Sequence, residues 1–273
     1  MNPIYELHDP RFRALIQPSA HLDRLATGFT WTEGPVWFPL HEVLIFSDIP
    51  NQRMMRLTME GELSVFRSPS GFSNGNTRDR EGRLVSCLHG HRAVQRTEHD
   101  GSRTILAESF QGKRLNSPND VVVKSDGSIW FSDPTYGIMG DYEGYAAEPE
   151  QPVRGVYRIG PEGGIACVAS DFAQPNGLAF SRDESVLYVA ESGSSHDDSV
   201  PSVIKAYPVE GACLGPGQVL CTLDAGLPDG FRVDCNGHIW TSAADGVHVF
   251  DARGVLLGKI LVPEVVSNLC FGG

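Results

Sequence analysis

Short apolar strands separated by turns recur along this sequence. Five segments share one pattern, in which Gly or acidic residues form a turn and a run of β-branched or aromatic residues follows. The segments are HEVLIFSD (41–48), EGRLVSC (81–87), DGSIWFSD (126–133), DESVLYVAES (183–192) and NGHIWTSA (236–243). Each pattern predicts a β-hairpin.

A small polar or acidic residue opens another apolar strand ten or eleven residues before the second strand of each hairpin. We call these residues, with the serine that opens SNLCFGG, the anchors: Glu33, Asn74, Asn119, Asn176, Asp229 and Ser267. Successive anchors lie 41, 45, 57, 53 and 38 residues apart, enough for a four-stranded sheet with loops. Alternating apolar and polar positions predict further, outer strands at VYRI (156–159), VIKAYPV (203–209) and VHVFD (247–251).

Repeats of this length, built almost only of strands, are typical of a β-propeller. The sequence therefore predicts one all-β domain over residues 1–273, a six-bladed propeller with residues 1–20 as an N-terminal extension. The blades would begin near residues 33, 74, 119, 176, 229 and 267. The sequence ends six residues after the sixth anchor. We therefore expect an incomplete sixth blade, supplied in part by residues 19–32, and a truncated form of a chain of about 300 residues.

Equivalent inner-strand positions of a propeller surround one channel, so the anchors would form a ring. Glu33 and Asp229 bring carboxylates to this ring, and Asn119 and Asn176 bring amide carbonyls. Such hard oxygen donors suit Ca²⁺, Mg²⁺ or Mn²⁺ better than copper or a structural zinc. We expect one divalent cation, in the first place Ca²⁺, with Mn²⁺, Mg²⁺ or Zn²⁺ as alternatives. Asn-Gly and Asp-Gly are also common turn dipeptides, so the residues could merely form turns. These residues all occupy the same position in the repeat, and Glu33, which has no turn preference, occupies it too. This agreement favours the cation site.

Several segments together resemble the gluconolactonase and senescence-marker-protein (regucalcin) family, above all its bacterial gluconolactonases. They are EGPVWF, RLNSPNDVVVKSDGSIWFSDPTYGI, PNGLAFSRDESVLYVAES and PDGFRVDCNGHIW, and the likeness runs from about Asp9 to Gly273. The resemblance implies a six-bladed propeller that hydrolyses sugar lactones with one divalent cation in its channel. It implies cation ligands at Glu33, Asn176 and Asp229, and a metal or substrate contact at Asn119. Asp229 would be the acid/base.

The sugar contacts implied by the resemblance differ in this chain. Animal members hold the sugar with an Arg two residues before the asparagine matched by Asn119 and with a Glu further on. Here Ser117 takes the first position and no Glu is evident. The sequence offers other polar candidates for substrate binding: Asn116, Asp133, Tyr136 and His89.

Two loops have open interpretations. The insert DYEGYAAEPEQPV (141–153) lengthens the third repeat and would be either a lid over the site or a long surface loop. The segment GSSHDDS (193–199) would cover the channel mouth, bind a second ion, or simply be a solvated loop.

The ring and the resemblance lead to one mechanism. A cation would polarise the lactone carbonyl, and Asp229 would take a proton from water and return it to the leaving alkoxide. Two rival functions remain open: a calcium-dependent phosphotriesterase-type hydrolase on the same fold, and a non-catalytic binding propeller. A complete ligand ring and uneven repeat intervals argue against the latter.

Composition narrows the partners. Twenty-two Lys and Arg against 34 Asp and Glu give a net charge of −12, without a basic cluster, so we expect no nucleic-acid partner. The N-terminus resembles no signal peptide and no apolar run is long enough to span a membrane, which predicts a cytoplasmic protein without a membrane partner. The six widely spaced cysteines predict reduced, mostly buried thiols. The partner would be a small sugar lactone, and nothing in the sequence indicates an oligomeric state.

Overall fold

The computed structural model describes residues 3–273, whose regular structure is almost entirely β-strand. Helix in this part of the chain is limited to three short 3₁₀ turns, Pro10–Ala14, Tyr136–Ile138 and Gly193–Ser195. Five antiparallel sheets of four or five strands follow one another along the chain and form the blades of a β-propeller. The predicted all-β propeller is therefore confirmed.

Each blade is a meander whose first strand is its innermost. A short strand, β1 (Tyr5–Leu7), precedes the blades and pairs with the last strand of the fifth. The first blade contains β2 (Thr32–Phe38), β3 (Val43–Asp48), β4 (Arg53–Thr58) and β5 (Leu63–Arg67). The second contains β6 (Ser73–Arg78), β7 (Leu84–Leu88), β8 (Ala93–Thr97) and β9 (Arg103–Ala107).

The third blade follows a two-stranded ribbon of β10 (Ser109–Phe110) and β11 (Lys113–Arg114). It contains β12 (Val121–Val123), β13 (Ile129–Asp133), β14 (Gly155–Ile159) and β15 (Ile165–Ala169). The fourth contains β16 (Pro175–Phe180), β17 (Val186–Glu191), β18 (Val203–Glu210), β19 (Cys213–Leu214) and β20 (Gln218–Thr222). The fifth contains β21 (Phe231–Val233), β22 (Ile239–Ala243), β23 (Gly246–Phe250) and β24 (Leu256–Leu261).

The strands form where the sequence pattern predicts them. The five repeated segments supply β3, β7, β13, β17 and β22, and the three alternating runs supply β14, β18 and β23. The blade count differs from the expectation. Residues 3–273 form five blades, and neither residues 19–31 nor residues 262–273 contain a strand.

The hydrophobic core lies between neighbouring sheets. Strands β7 and β13 are buried along their whole length, because each faces apolar side chains on both sides. Between the second and third blades, for example, Val85 and Cys87 of β7 share one buried cluster with Phe131 and Tyr157 of the third blade. Full burial of such a side chain contributes about 1.5–3 kcal/mol to stability. This two-sided burial explains why the second strand of each blade reads as a continuous apolar run.

The C-terminal residues lie between the fifth and first blades. The backbone N–H of Gly230 donates to the carbonyl of Ser267 (2.8 Å), and Ser267 Oγ donates to the carbonyl of Thr32 (2.6 Å). Phe271 meets Trp240 of the fifth blade edge-on, with ring centroids 5.8 Å apart. The sixth anchor therefore bridges the two blades although residues 267–273 form no sheet.

Two expectations concern the surface. Cys87 and Cys221 are buried, but Cys213 and Cys235 are exposed, so the expectation of mostly buried thiols is wrong. Cys213 lies in the short strand β19 and Cys235 in the turn between β21 and β22, and both side chains face solvent. Within residues 3–273, no helix has the length and apolar character needed to cross a membrane.

Candidate active site

One cavity of about 330 Å³ is lined by every anchor. Glu33, Asn74 and Asn176 lie near the start of the inner strands β2, β6 and β16, while Asn119 and Asp229 precede β12 and β21 by two residues. The anchors therefore share one height around the channel, as their phase in the repeat indicates. The remaining cavity wall consists of Trp31, Tyr136, Glu143, Ser195, His196, Gly226, Leu227, Ala244, Val265 and Val266.

Four anchors are followed by glycine because neighbouring inner strands approach each other closely there. A Cβ atom at Gly34, Gly75, Gly177 or Gly230 would overlap atoms of the next anchor segment. Gly75 N–H donates to the Asn119 carbonyl (2.7 Å), and Gly177 N–H donates to the Asp229 carbonyl (3.1 Å). These glycines thus join consecutive blades and fix the spacing of the anchors. The turn interpretation of Asn-Gly misses this function, since Asn74 and Asn176 lie within strands.

Gly177→Ala is expected to lower the free energy of unfolding by about 1–3 kcal/mol, the usual cost of overpacking. The new methyl group would displace the Asp229 carbonyl. Urea denaturation measures the loss. Gly164→Ala is the matched control, because a Cβ at Gly164 meets no atom within 4 Å. Equal denaturation midpoints for the two variants would show that the close approach is not required.

Burial disfavours the ionised form of the two carboxyl groups of the ring, Glu33 and Asp229. Burial raises the pKa of Glu33 to about 7, although Oε2 accepts hydrogen bonds from Asn268 Nδ2 and Gly34 N–H, both 2.8 Å long. Its other oxygen, Oε1, is buried and has no hydrogen-bond partner among residues 3–273. Burial, followed by the charge of Glu33, raises the pKa of Asp229 well above its usual range. Burial therefore disfavours the ionised form of both carboxyl groups, and their hydrogen bonds do not offset this effect.

The donor set of the ring fits a divalent cation. No Lys or Arg lines the cavity to neutralise its carboxylates. The described residues contain no cluster of three or more His, Cys, Asp or Glu side chains suited to a metal. A cation here would therefore depend on the two carboxylates together with amide oxygens. An unpartnered oxygen on Glu33 and two amides at Asn119 and Asn176 match the oxygen ligands that Ca²⁺ and Mg²⁺ prefer.

A hydrogen-bonded chain forms one polar wall of the cavity. Tyr136 Oη donates to the carbonyl of Ser192 (3.0 Å) and lies 3.0 Å from Ser195 Oγ, which lies 2.7 Å from His196 Nδ1. Burial raises the pKa of Tyr136, so its hydroxyl stays protonated. Part of the loop 193–199 therefore reaches the cavity mouth. The cavity also has an apolar wall, which is formed by Trp31, Leu227 and Val265.

The insert 141–153 contributes Glu143, which the sequence reasoning missed. Glu143 lines the cavity, and burial raises its pKa. Its backbone carbonyl accepts a hydrogen bond from His89 Nδ1 (3.0 Å). His89 itself lies behind the wall, where burial lowers its pKa to about 4. The acidic and aromatic residues of the insert were the only sequence signal for a role at the cavity. Composition alone does not show against which part of the protein a loop packs.

Asn116 and Asp133 do not line the cavity. Asp133 Oδ2 accepts the backbone N–H of Asn116 (2.8 Å), and the Asn116 side chain donates to the carbonyls of Asp133 and Val153. Burial raises the pKa of Asp133 to about 7. Asp48 and Glu191, at the ends of β3 and β17, likewise accept backbone N–H groups of the segments before β2 and β16. The structure therefore gives Asp133 the same scaffold contact that its counterparts make.

Known proteins are similar to this chain in both sequence and fold. The profile of the SMP-30/Gluconolactonase/LRE-like region matches residues 31–273. A gluconolactonase from Zymomonas mobilis is 32% identical over 96% of this chain and 79% of its own length. A solved gluconolactonase structure from Xanthomonas campestris is 38% identical, covers 98% of this chain and 87% of its own, and superposes with a TM-score of 0.92.

A more distant structure shares the fold alone. Regucalcin from Agrobacterium tumefaciens, described as a calcium-binding protein, is 19% identical and has a TM-score of 0.72, with 91% of this chain and 81% of its own covered. The profile match spans nearly the whole chain, and the Zymomonas relative exceeds 30% identity. The chain therefore belongs to the SMP-30/gluconolactonase/LRE-like family.

Proposed function

We propose that this protein is a metal-dependent lactone hydrolase that opens sugar lactones, a gluconolactonase-like enzyme acting on aldonolactones. The observation that carries the proposal is a cavity whose anchors bring two carboxylates and three amides, with Glu143 as a third lining carboxylate and without any lining Lys or Arg. The gluconolactonases from Zymomonas and Xanthomonas support this reaction class, since both are similar along most of the chain.

Glu33, Asn119, Asn176 and Asp229 would hold one divalent cation, with Ca²⁺ as the first candidate. The hard oxygen donors support this choice, as does the calcium-binding regucalcin with the same fold. When bound, the cation would polarise the lactone carbonyl.

Asp229 would transfer the proton. As the water oxygen attacks the carbonyl carbon, the Asp229 carboxylate takes a proton from that water. When the ring C–O bond breaks, the same carboxyl returns the proton to the leaving alkoxide, and the product is a hydroxy acid. Burial, followed by the Glu33 charge, raises the pKa of Asp229 well above its usual range, which makes its carboxylate a stronger base.

Tyr136 is the best supported of the four substrate-binding candidates, because it lines the cavity. Its hydroxyl lies on the polar wall with Ser195 and His196. The hydroxyl groups of a sugar lactone would face this wall, and the C–H faces of its ring would face Trp31 and Leu227. Asn116 and Asp133 would act on the substrate only through the loop that they hold.

A parallel assay tests the reaction class. Purified protein with added Ca²⁺ is expected to hydrolyse D-glucono-1,5-lactone above the spontaneous rate and to leave a fluorophosphate ester unchanged. Base consumption at constant pH measures the first reaction, and fluoride release measures the second. Preferential fluoride release would favour the phosphotriesterase-type alternative, and inactivity on both would favour a binding propeller.

A ring of six positions is part of this proposal. Ser267 lines the cavity with the other anchors, and Asn268 hydrogen-bonds Glu33 Oε2. Residues 267–273 would thus take the inner position of a sixth blade. The cytoplasmic location remains a prediction from the sequence.

A further inference from the structure

Asn74 carries a buried acceptor that no described residue satisfies. Its side chain is 3% exposed and lines the cavity beside the proposed cation ligands. Asn74 Nδ2 lies 3.3 Å from His89 Nε2, while Asn74 Oδ1 has no hydrogen-bond partner. A buried polar oxygen without a partner is costly, so such a group at a cavity wall indicates a bound donor.

The orientation of this amide follows from His89. The backbone carbonyl of Glu143 can only accept, so His89 Nδ1 carries the hydrogen of that 3.0 Å bond. Burial keeps the imidazole neutral at neutral pH, because it lowers the pKa of His89 to about 4. The other nitrogen, Nε2, is then an acceptor and requires the Asn74 N–H. The amide oxygen is thereby left free on the cavity side.

The insert 141–153 holds this arrangement in place. Tyr145 packs edge-on against Phe72, with ring centroids 5.2 Å apart, and its backbone N–H donates to the carbonyl of Gly137 (3.2 Å). Tyr145, which makes these contacts, lies two residues after Glu143 in the sequence. The carbonyl of Glu143 fixes the His89 tautomer. The insert therefore acts on the cavity through His89 as well as through the Glu143 side chain.

We propose that His89 is a positioning residue that holds the Asn74 amide with Oδ1 towards the cavity, where Oδ1 accepts a hydrogen bond from a hydroxyl group of the substrate. The neighbouring cavity groups favour a hydroxylated ligand. Asn74 Oδ1 is an acceptor without a partner among residues 3–273, and the lining residues provide no Lys or Arg. We therefore assign the missing donor to the molecule that occupies the cavity. The inference rests on the proposed lactone hydrolysis.

Two substitutions of His89 separate positioning from packing. His89→Asn keeps an amide N–H near Nδ1 for the Glu143 carbonyl but has no atom near Nε2. His89→Gln places an amide oxygen near Nε2 and can still accept from Asn74. His91→Asn is the matched control, because His91 is exposed and does not line the cavity.

The kinetic constants for D-glucono-1,5-lactone give the readout. We expect His89→Asn to raise KM about tenfold, the loss of roughly one hydrogen bond, with kcat within about threefold. His89→Gln should stay within about threefold of the wild-type KM, and His91→Asn should match the wild type. The rise in melting temperature caused by Ca²⁺ should be the same in all three variants.

Three results would overturn the inference: a wild-type KM in His89→Asn, equal impairment of His89→Asn and His89→Gln, or loss of the Ca²⁺-induced stabilisation in His89→Asn. The last result would make Asn74 a cation ligand instead of a substrate contact. A wild-type protein that does not hydrolyse the lactone at all would refute the proposed function itself.

Discussion

Asp229→Asn is expected to lower kcat for lactone hydrolysis by about 10²–10⁴-fold, the contribution of a positioned acid/base group. The amide can neither take a proton from water nor return one to the leaving alkoxide. It keeps the size of the side chain and can retain the hydrogen bond with Asn176. The substitution also removes one of two carboxyl groups that repel each other, so the melting temperature without added metal should not fall.

The control for this variant is Asp198→Asn, an exposed position that does not line the cavity. It should keep the wild-type kcat. Initial rates at constant pH, corrected for spontaneous hydrolysis, measure both variants. If Asp229→Asn retained more than a tenth of the wild-type kcat, another group would be the acid/base.

Glu33→Gln is expected to remove most of the stabilisation by Ca²⁺. For the wild-type protein, a ligand at 100 times its Kd stabilises by about 2.7 kcal/mol. For a domain of this size such a gain raises the melting temperature by about 5–10 °C. Gln removes one of two charges that would hold the ion, so most of this rise should disappear.

Without added metal, the same variant should melt no lower than the wild type. Burial raises the pKa of Glu33 to about 7, so the ionised carboxylate is unfavourable in the folded protein, and Gln removes that charge. Glu162→Gln, in an exposed outer turn, is the matched control and should keep the full Ca²⁺ response. Thermal unfolding with and without Ca²⁺ measures all three proteins. A wild-type response in Glu33→Gln would exclude Glu33 as a ligand.

The strands were predictable because their signals are local. Turn residues followed by apolar runs predicted β13 and β17 almost to the residue, since two-sided burial imposes the same pattern on the second strand of each blade. The anchors were also predictable, because equivalent phases in a repeat become equivalent heights around one channel. Their common cavity is therefore expected from spacing alone.

The roles of individual polar residues were less accessible to sequence reasoning. Asp133 looked like a substrate group, yet its carboxylate holds a backbone N–H. The signal for that role was the repeat itself, since the equivalent strands end with an acidic residue, namely Asp48, Asp133 and Glu191. Gly177 looked like half of a turn dipeptide, but it is needed where two inner strands meet.

Glu143 and His89 depend on the path of a long insert. The position of an insert is set by tertiary contacts such as Tyr145 on Phe72, which no local pattern encodes. Likewise, the blade count could not be read from spacing alone, because an anchor such as Ser267 can join the ring without the strands of a full sheet.

Metal dependence of lactone hydrolysis is the most direct test of this account. Protein treated with a chelator and freed of it should hydrolyse D-glucono-1,5-lactone no faster than buffer at constant pH. Stoichiometric Ca²⁺, or another divalent ion that prefers oxygen ligands, should restore the rate of lactone hydrolysis. Full activity in excess chelator, or no activity with any divalent ion, would contradict it.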